Sequence, residues 1–163
     1  MHHAILPLKQ NGIVAPLARG FRLVGFERLL AFWASERRLQ REIIWDGNTS
    51  SVAEAEKSAP SDVIWGGYSA YHLRYREAPA DYSVLILYAD EEQLGVVRKR
   101  MEGKGVARIL VLKKDPFLKY YSEGGICPDP QIYVDLWNQK EWYAADYRRA
   151  LERRMGFDAT VLA

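Results

Sequence analysis

A chain of 163 residues, 48% of them hydrophobic, holds enough apolar material for one buried core and too much for a disordered segment. The net charge of +2 selects no class of charged partner, and a single cysteine, Cys127, excludes an internal disulfide and fits a reducing, cytoplasmic setting. No Cys/His cluster is present for a soft-ligand metal centre, no secretory leader is visible, and the most apolar stretch, FRLVGFERLLAFWA, is broken by Arg22, Glu27 and Arg28, so no membrane span is expected.

Residues 1–25 carry Pro7, Gly12, Pro16 and Gly20 among scattered apolar side chains and are expected as an irregular N-terminal arm. Residues 26–163 are expected as a single α/β domain. Phe26, Leu29, Leu30 and Trp33 fall at i, i+3, i+4 and i+7, one apolar helical stripe with Arg28, Glu36 and Arg37 turned away from it. REIIW predicts a short strand that ends at the turn residues Asp46-Gly47-Asn48. A short helix over 49–59, capped by Thr49 or Ser50, is stopped by Pro60.

The centre is the clearest part. YSVLILYA (82–89) is continuously apolar and rich in strand-forming types, which predicts a strand covered on both faces. Asp90 caps the following helix, with Gln93 three residues on as in a capping box, and Leu94, Val97 and Met101 on its inner face. Gly103 and Gly105 end it, and ARILVLK (107–113) forms a second buried strand. Strand, helix, strand in this span is a βαβ unit with parallel strands. Beyond Pro116, FLKYYSEGGIC is expected as a short strand or turn with a Gly124-Gly125 loop. A helix then begins at Asp129 as cap, with Tyr133, Leu136 and Trp137 inward. A last helix buries Tyr143, Tyr147, Ala150 and Leu151.

The chemistry-bearing feature is Trp65-Gly66-Gly67, which opens a helix and is followed by Asp81 ahead of the apolar strand. Nucleotidyltransferases of the polymerase-β type place a glycine pair at a helix start, where backbone N–H groups receive a triphosphate. Two carboxylates spaced by two on the next strand then hold the metal ions. Here Asp81 has the right spacing from the glycines, but Ser83 stands where the second carboxylate belongs, and a neutral hydroxyl is a poor magnesium ligand. Asp90, Glu91 and Glu92 lie at the other end of the strand, roughly 30 Å away at about 3.3 Å per residue. The pattern is therefore nucleotidyltransferase-like at most in a degenerate form, and no residue is assigned as catalytic. Asp135 interrupts the apolar run IYVDLW. A carboxylate there is either exposed or paired with arginine or backbone N–H groups to offset its desolvation. His72 stands alone, with no nucleophile or acid arranged around it in the sequence. The basic helix faces SERRLQR and YRRALERR read as solvated surfaces paired with Glu36, Glu42 and Glu152, with salt-dependent phosphate binding as the alternative.

Trp65, Gly66, Gly67 and Ala70, then Pro130, Tyr133, Asp135 and Leu136, then Ala144, Ala145 and Leu151 together resemble the C-terminal region of AbiEi-type antitoxins of type IV toxin–antitoxin systems. FERLLAFWA resembles that family's Leu-Leu-x-x-Trp segment, and the likeness covers about residues 26–155. The resemblance implies a non-catalytic regulatory domain that needs no cofactor and acts through a protein partner, a nucleotidyltransferase toxin. It implies DNA contact only through a separate N-terminal winged helix outside this chain, since such a head takes about 60–90 residues. The residues assigned to ligand or partner contact are Trp65, Gly66, Gly67, Asp81, Tyr133 and Asp135. Two alternatives stay open at this level: an active nucleotidyltransferase-fold enzyme using magnesium and a nucleotide, and an interaction domain with no toxin. The fold expected in each case is α/β, a small mixed sheet around a βαβ unit, flanked by helices.

Overall fold

In a computed structural model, residues 2–157 are described. The last residues of the expected 26–163 domain lie outside them. The chain is α/β. A four-stranded mixed sheet takes the order β3-β6-β5-β4, and a separate two-stranded ribbon pairs β1 with β2. The central pair, β5 (Val84–Ala89) and β6 (Ala107–Lys113), is parallel and joined by α5 (Glu91–Met101), the βαβ unit expected from the sequence. Its local chemistry is as anticipated. The Asp90 side chain accepts from the Gln93 amide while the Gln93 side chain accepts from the Asp90 amide. Val97 and Met101 are buried, and Leu94 packs against the core.

Every residue of β5 is buried, so the sheet is covered on both faces. The helices fall into two packing groups. α3 (Val52–Ser58) meets α5, while α2 (Phe26–Glu36), α4 (Gly67–Tyr75) and α8 (Ala144–Met155) gather around α7 (Asp129–Trp137). Tyr68 and Tyr71 of α4, Tyr133 of α7 and Tyr147 of α8 are all fully buried. Tyr68, Tyr71 and Tyr82 each have a ring centroid within 6 Å of the Tyr147 ring or of one another. Edge-on and tilted contacts of this kind let large rings fill a core without leaving gaps.

Several sequence expectations are corrected here. The first 25 residues are not an irregular arm: they form α1 (His2–Gln10) and the hairpin of β1 (Val14–Pro16) and β2 (Phe21–Leu23). β3 does not stop at a turn but runs over Ile43–Thr49, straight through Asp46-Gly47-Asn48. Antiparallel pairing with β6 overrides the local turn preference. Arg108 of β6 grips both oxygens of Asp46 at 2.8 and 2.6 Å, and Gly47 leaves room for the Trp45 ring, which a Cβ there would meet at 2.2 Å. The cap of α3 is Ser51, accepting from the Glu54 amide at 3.2 Å, rather than Thr49 or Ser50. β5 begins at Val84 rather than 82; just before it the Ser83 carbonyl accepts from the Arg108 amide of β6 while the Ser83 amide donates to the Tyr143 hydroxyl. The 117–127 stretch gives α6 (Leu118–Tyr121), one helical turn, and then a loop whose Ile126 bridges to Trp65. α2 buries Leu30 and Ala34, whereas Phe26 and Trp33 of its predicted stripe are exposed. No helix among the described residues is long and apolar enough to cross a membrane.

Candidate functional site

β4 (Ile64–Gly66) is short and wholly buried, pairing antiparallel with β5 so that Gly66 lies opposite Ile86. On its other side the loop takes over the pairing: the Trp65 amide donates to the Gly125 carbonyl, and the Cys127 amide donates to the Trp65 carbonyl. The chain then turns sharply into α4. Gly67 makes that turn with a φ of +51°, in the left-handed region where a Cβ is penalised. Both glycines are also pressed from above. A Cβ on Gly66 would stand 2.5 Å from an Asp135 carboxylate oxygen and 2.8 Å from the Tyr88 ring, and one on Gly67 would stand 2.7 Å from Ile86. Gly66→Ala and Gly67→Ala should each lower unfolding stability by about 1–3 kcal/mol, the usual range for overfilling a packed site. Thermal melts that match the parent would contradict that close fit.

Asp135, from α7, crowds Gly66 and accepts from the Gly67 amide. Its side chain is fully buried and accepts four hydrogen bonds. One oxygen takes the Gly67 amide at 3.0 Å; the other takes Arg37 Nη1, the Tyr88 hydroxyl and the Gln131 amide. A carboxylate has room for about four such bonds, so Asp135 is saturated by the protein itself. Arg37, directly after α2, has only 5% of its side chain exposed and holds a second acid, Glu42, through Nε and Nη2. Burial opposes its charge, but Asp135 and Glu42 outweigh that and hold the guanidinium more firmly protonated than a free arginine. Burial, then the neighbouring Asp135 charge, pushes the Tyr88 hydroxyl well above its ordinary range, so it remains a donor.

The structure thus brings three of the predicted residues together, Gly66, Gly67 and Asp135, and buries Trp65 beside them. The remaining two lie apart. Asp81 is exposed, outside the strand and five residues before Ile86, the partner of Gly66. Tyr133 is fully buried on α7, with its ring near Trp137 and Phe157 and its hydroxyl donating to Glu152 at 3.4 Å. Asp129, expected as the cap of α7, instead accepts from the Tyr75 hydroxyl at 2.7 Å and pairs with Arg74, leaving the cap position to Pro128. Arg37, read from the sequence as part of a solvated face, is the buried charge at the centre of the network. Only the need for it was signalled: Asp135 in an apolar run requires a partner, but nothing local marks Arg37 as that partner. Tyr88 and Gln131 carried no such signal. His72 meets only Tyr82 and Glu56, at 3.2 and 3.5 Å. Among the described residues no group of three or more His, Cys, Asp and Glu is placed to hold a metal ion.

Outward from Tyr88 and Gln131 the structure opens into a cleft of about 530 Å³, walled by Trp33 of α2, Arg41 and Lys113 beside the sheet edge, and Phe117 and Tyr121 of the α6 segment. It lies at the carboxyl ends of the parallel strands β5 and β6, where open α/β sheets present ligand sites. Chemically, then, the molecule has two features: a closed, charge-paired turn in which nothing is left over to react, and an open basic and aromatic cleft above it. The chain matches no protein-family model, no curated protein and no solved structure.

Proposed function

We propose that this chain is a non-catalytic, protein-binding regulatory domain. Its role is that of the C-terminal domain of an AbiEi-like antitoxin or transcriptional regulator, acting against a nucleotidyltransferase toxin. The observation that carries the reading is the pairing of the Gly67 amide with Asp135. In a working nucleotidyltransferase the glycine-pair N–H groups face the substrate phosphates. Here the N–H of Gly67 is satisfied from inside by a carboxylate that is itself saturated and charge-paired with Arg37. Asp81, the one acid at catalytic spacing, lies away from that turn.

A protein partner is supported by the surface of the N-terminal segment. Leu6, Leu17, Phe21, Leu23, Val24 and Phe26 are each more than 40% exposed, within 21 residues of one another. Concentrated apolar exposure of this kind marks contact surfaces. The test is co-purification of the full chain from its native host with identification by mass spectrometry, beside a Leu17→Glu/Phe21→Glu variant. A nucleotidyltransferase should come down with the parent and be lost with the variant. Magnesium-dependent nucleotide turnover by the purified chain, abolished in Asp81→Ala, would replace this reading with the enzymatic one.

A further inference from the structure

We propose that the cleft outside Tyr88 and Gln131 binds a phosphorylated nucleoside without transforming it. The proposal stands on the cleft alone and does not depend on the antitoxin role. Four cations line the cleft, but they are not equivalent. Arg37 is spent on Asp135 and Glu42, and Lys114 on Asp90 at 3.1 Å and Gln93 at 2.7 Å. Arg41 and Lys113 are exposed and make no ion pair among the described residues, so both are free to meet an anion. Of the two acids on the same walls one is matched by a cation and the other, exposed Asp115, is not, so two free cations face one free carboxylate. Glu42 is paired with Arg37, and Asp115 accepts from the Phe117 amide at 2.7 Å.

The same walls carry large rings that fold burial alone does not account for. Phe117 and Tyr121 are 66% and 68% exposed, and Trp33 is 38% exposed. Exposed rings beside unpaired cations suit a ligand with a flat aromatic face and a phosphate, because stacking needs only a π-face and the phosphate needs only a point charge. On the floor, Gln131 donates its amide N–H groups to Tyr88 and Asp135, which leaves its carbonyl oxygen unspent as an acceptor. The volume is within the range of small-ligand sites and matches one nucleotide rather than a folded partner.

The nucleoside phosphate could be free or the end of a single RNA strand. Fluorescently labelled ADP and a labelled six-nucleotide single-stranded RNA are therefore titrated separately into the full-length chain, at low and at raised salt. Binding of either probe should weaken at least tenfold in Arg41→Ala/Lys113→Ala and several-fold in Phe117→Ala. It should also fall with salt, as phosphate contacts do. These side chains are exposed, so circular dichroism should show the variants folded as the parent is. If only the RNA binds, the ligand is a strand end; if ADP binds, it is the free nucleotide. Absence of binding by both probes at millimolar concentration, or binding unchanged in the double variant, overturns the proposal. So does an acidic peptide that binds in their place.

Discussion

Asp135→Ala should lower the unfolding free energy by about 3–5 kcal/mol, the cost of removing one partner from a buried ion pair. The size follows from what is left behind. Arg37 stays buried with Glu42 as its one remaining acid partner, and the Gly67 amide, the Tyr88 hydroxyl and the Gln131 amide lose an acceptor in a place water does not reach easily. Asp135→Asn keeps the shape but not the charge and should cost less. The decisive comparison is a double change, Arg37→Met with Asp135→Leu. Apolar side chains of similar volume can replace a buried pair at little cost, so the double variant should be more stable than Asp135→Ala alone. Urea denaturation of the parent and the three variants checks this. A midpoint for Asp135→Ala equal to the parent's would mean that the carboxylate does not support the turn.

Raising the pH from 10 to 11 should remove on the order of 1–2 kcal/mol of stability. Burial lifts the hydroxyl pKa values of Tyr68, Tyr88, Tyr133 and Tyr147 above their ordinary values. The sign follows directly. A group whose folded pKa is raised gives its full stabilisation below the unfolded value, here about 10, and loses it as pH climbs toward the folded value. Above pH 10 the unfolded chain releases these protons and the folded chain keeps them. The Tyr88 hydroxyl, almost wholly buried, then contributes about 1 kcal/mol of loss over that unit of pH. The hydroxyls of Tyr68, Tyr133 and Tyr147 lie less deep than that of Tyr88 and are counted at less because solvent screens them. Urea midpoints followed by circular dichroism should fall between pH 10 and 11, with tyrosinate absorbance rising in the same step as the loss of helix. Tyrosinate appearing well below the structural transition would contradict it.

The βαβ unit was legible because all its determinants are local. An unbroken apolar run, an Asp/Gln capping box and a helical stripe sit within one stretch of chain, and β6 was placed at its observed bounds. The N-terminal hairpin was not legible: strands of three residues carry no periodicity to read. β3 was cut short for the opposite reason. Asp46-Gly47-Asn48 has strong turn chemistry, and only the partner strand and Arg108 hold it extended. At the site, the need for a counter-charge could be deduced from Asp135 alone. Its supplier could not, since Arg37 lies 98 positions away. The cleft was invisible in the sequence because its walls come from α2, the end of β6 and the α6 segment, none of which is distinctive alone.

The bond between positions 37 and 135 also governs when the molecule can be finished. A ribosome delivers Arg37 early and its counterpart about a hundred residues later. Until then Arg37, at the end of α2, has only Glu42, five residues on, as an acid partner, and the buried half of its counter-charge is missing. The Gly66-Gly67 corner likewise waits for an acid that has not yet been made. Completion of the centre is therefore a late event in biogenesis, and any fragment that stops short of α7 would carry a frame without its keystone.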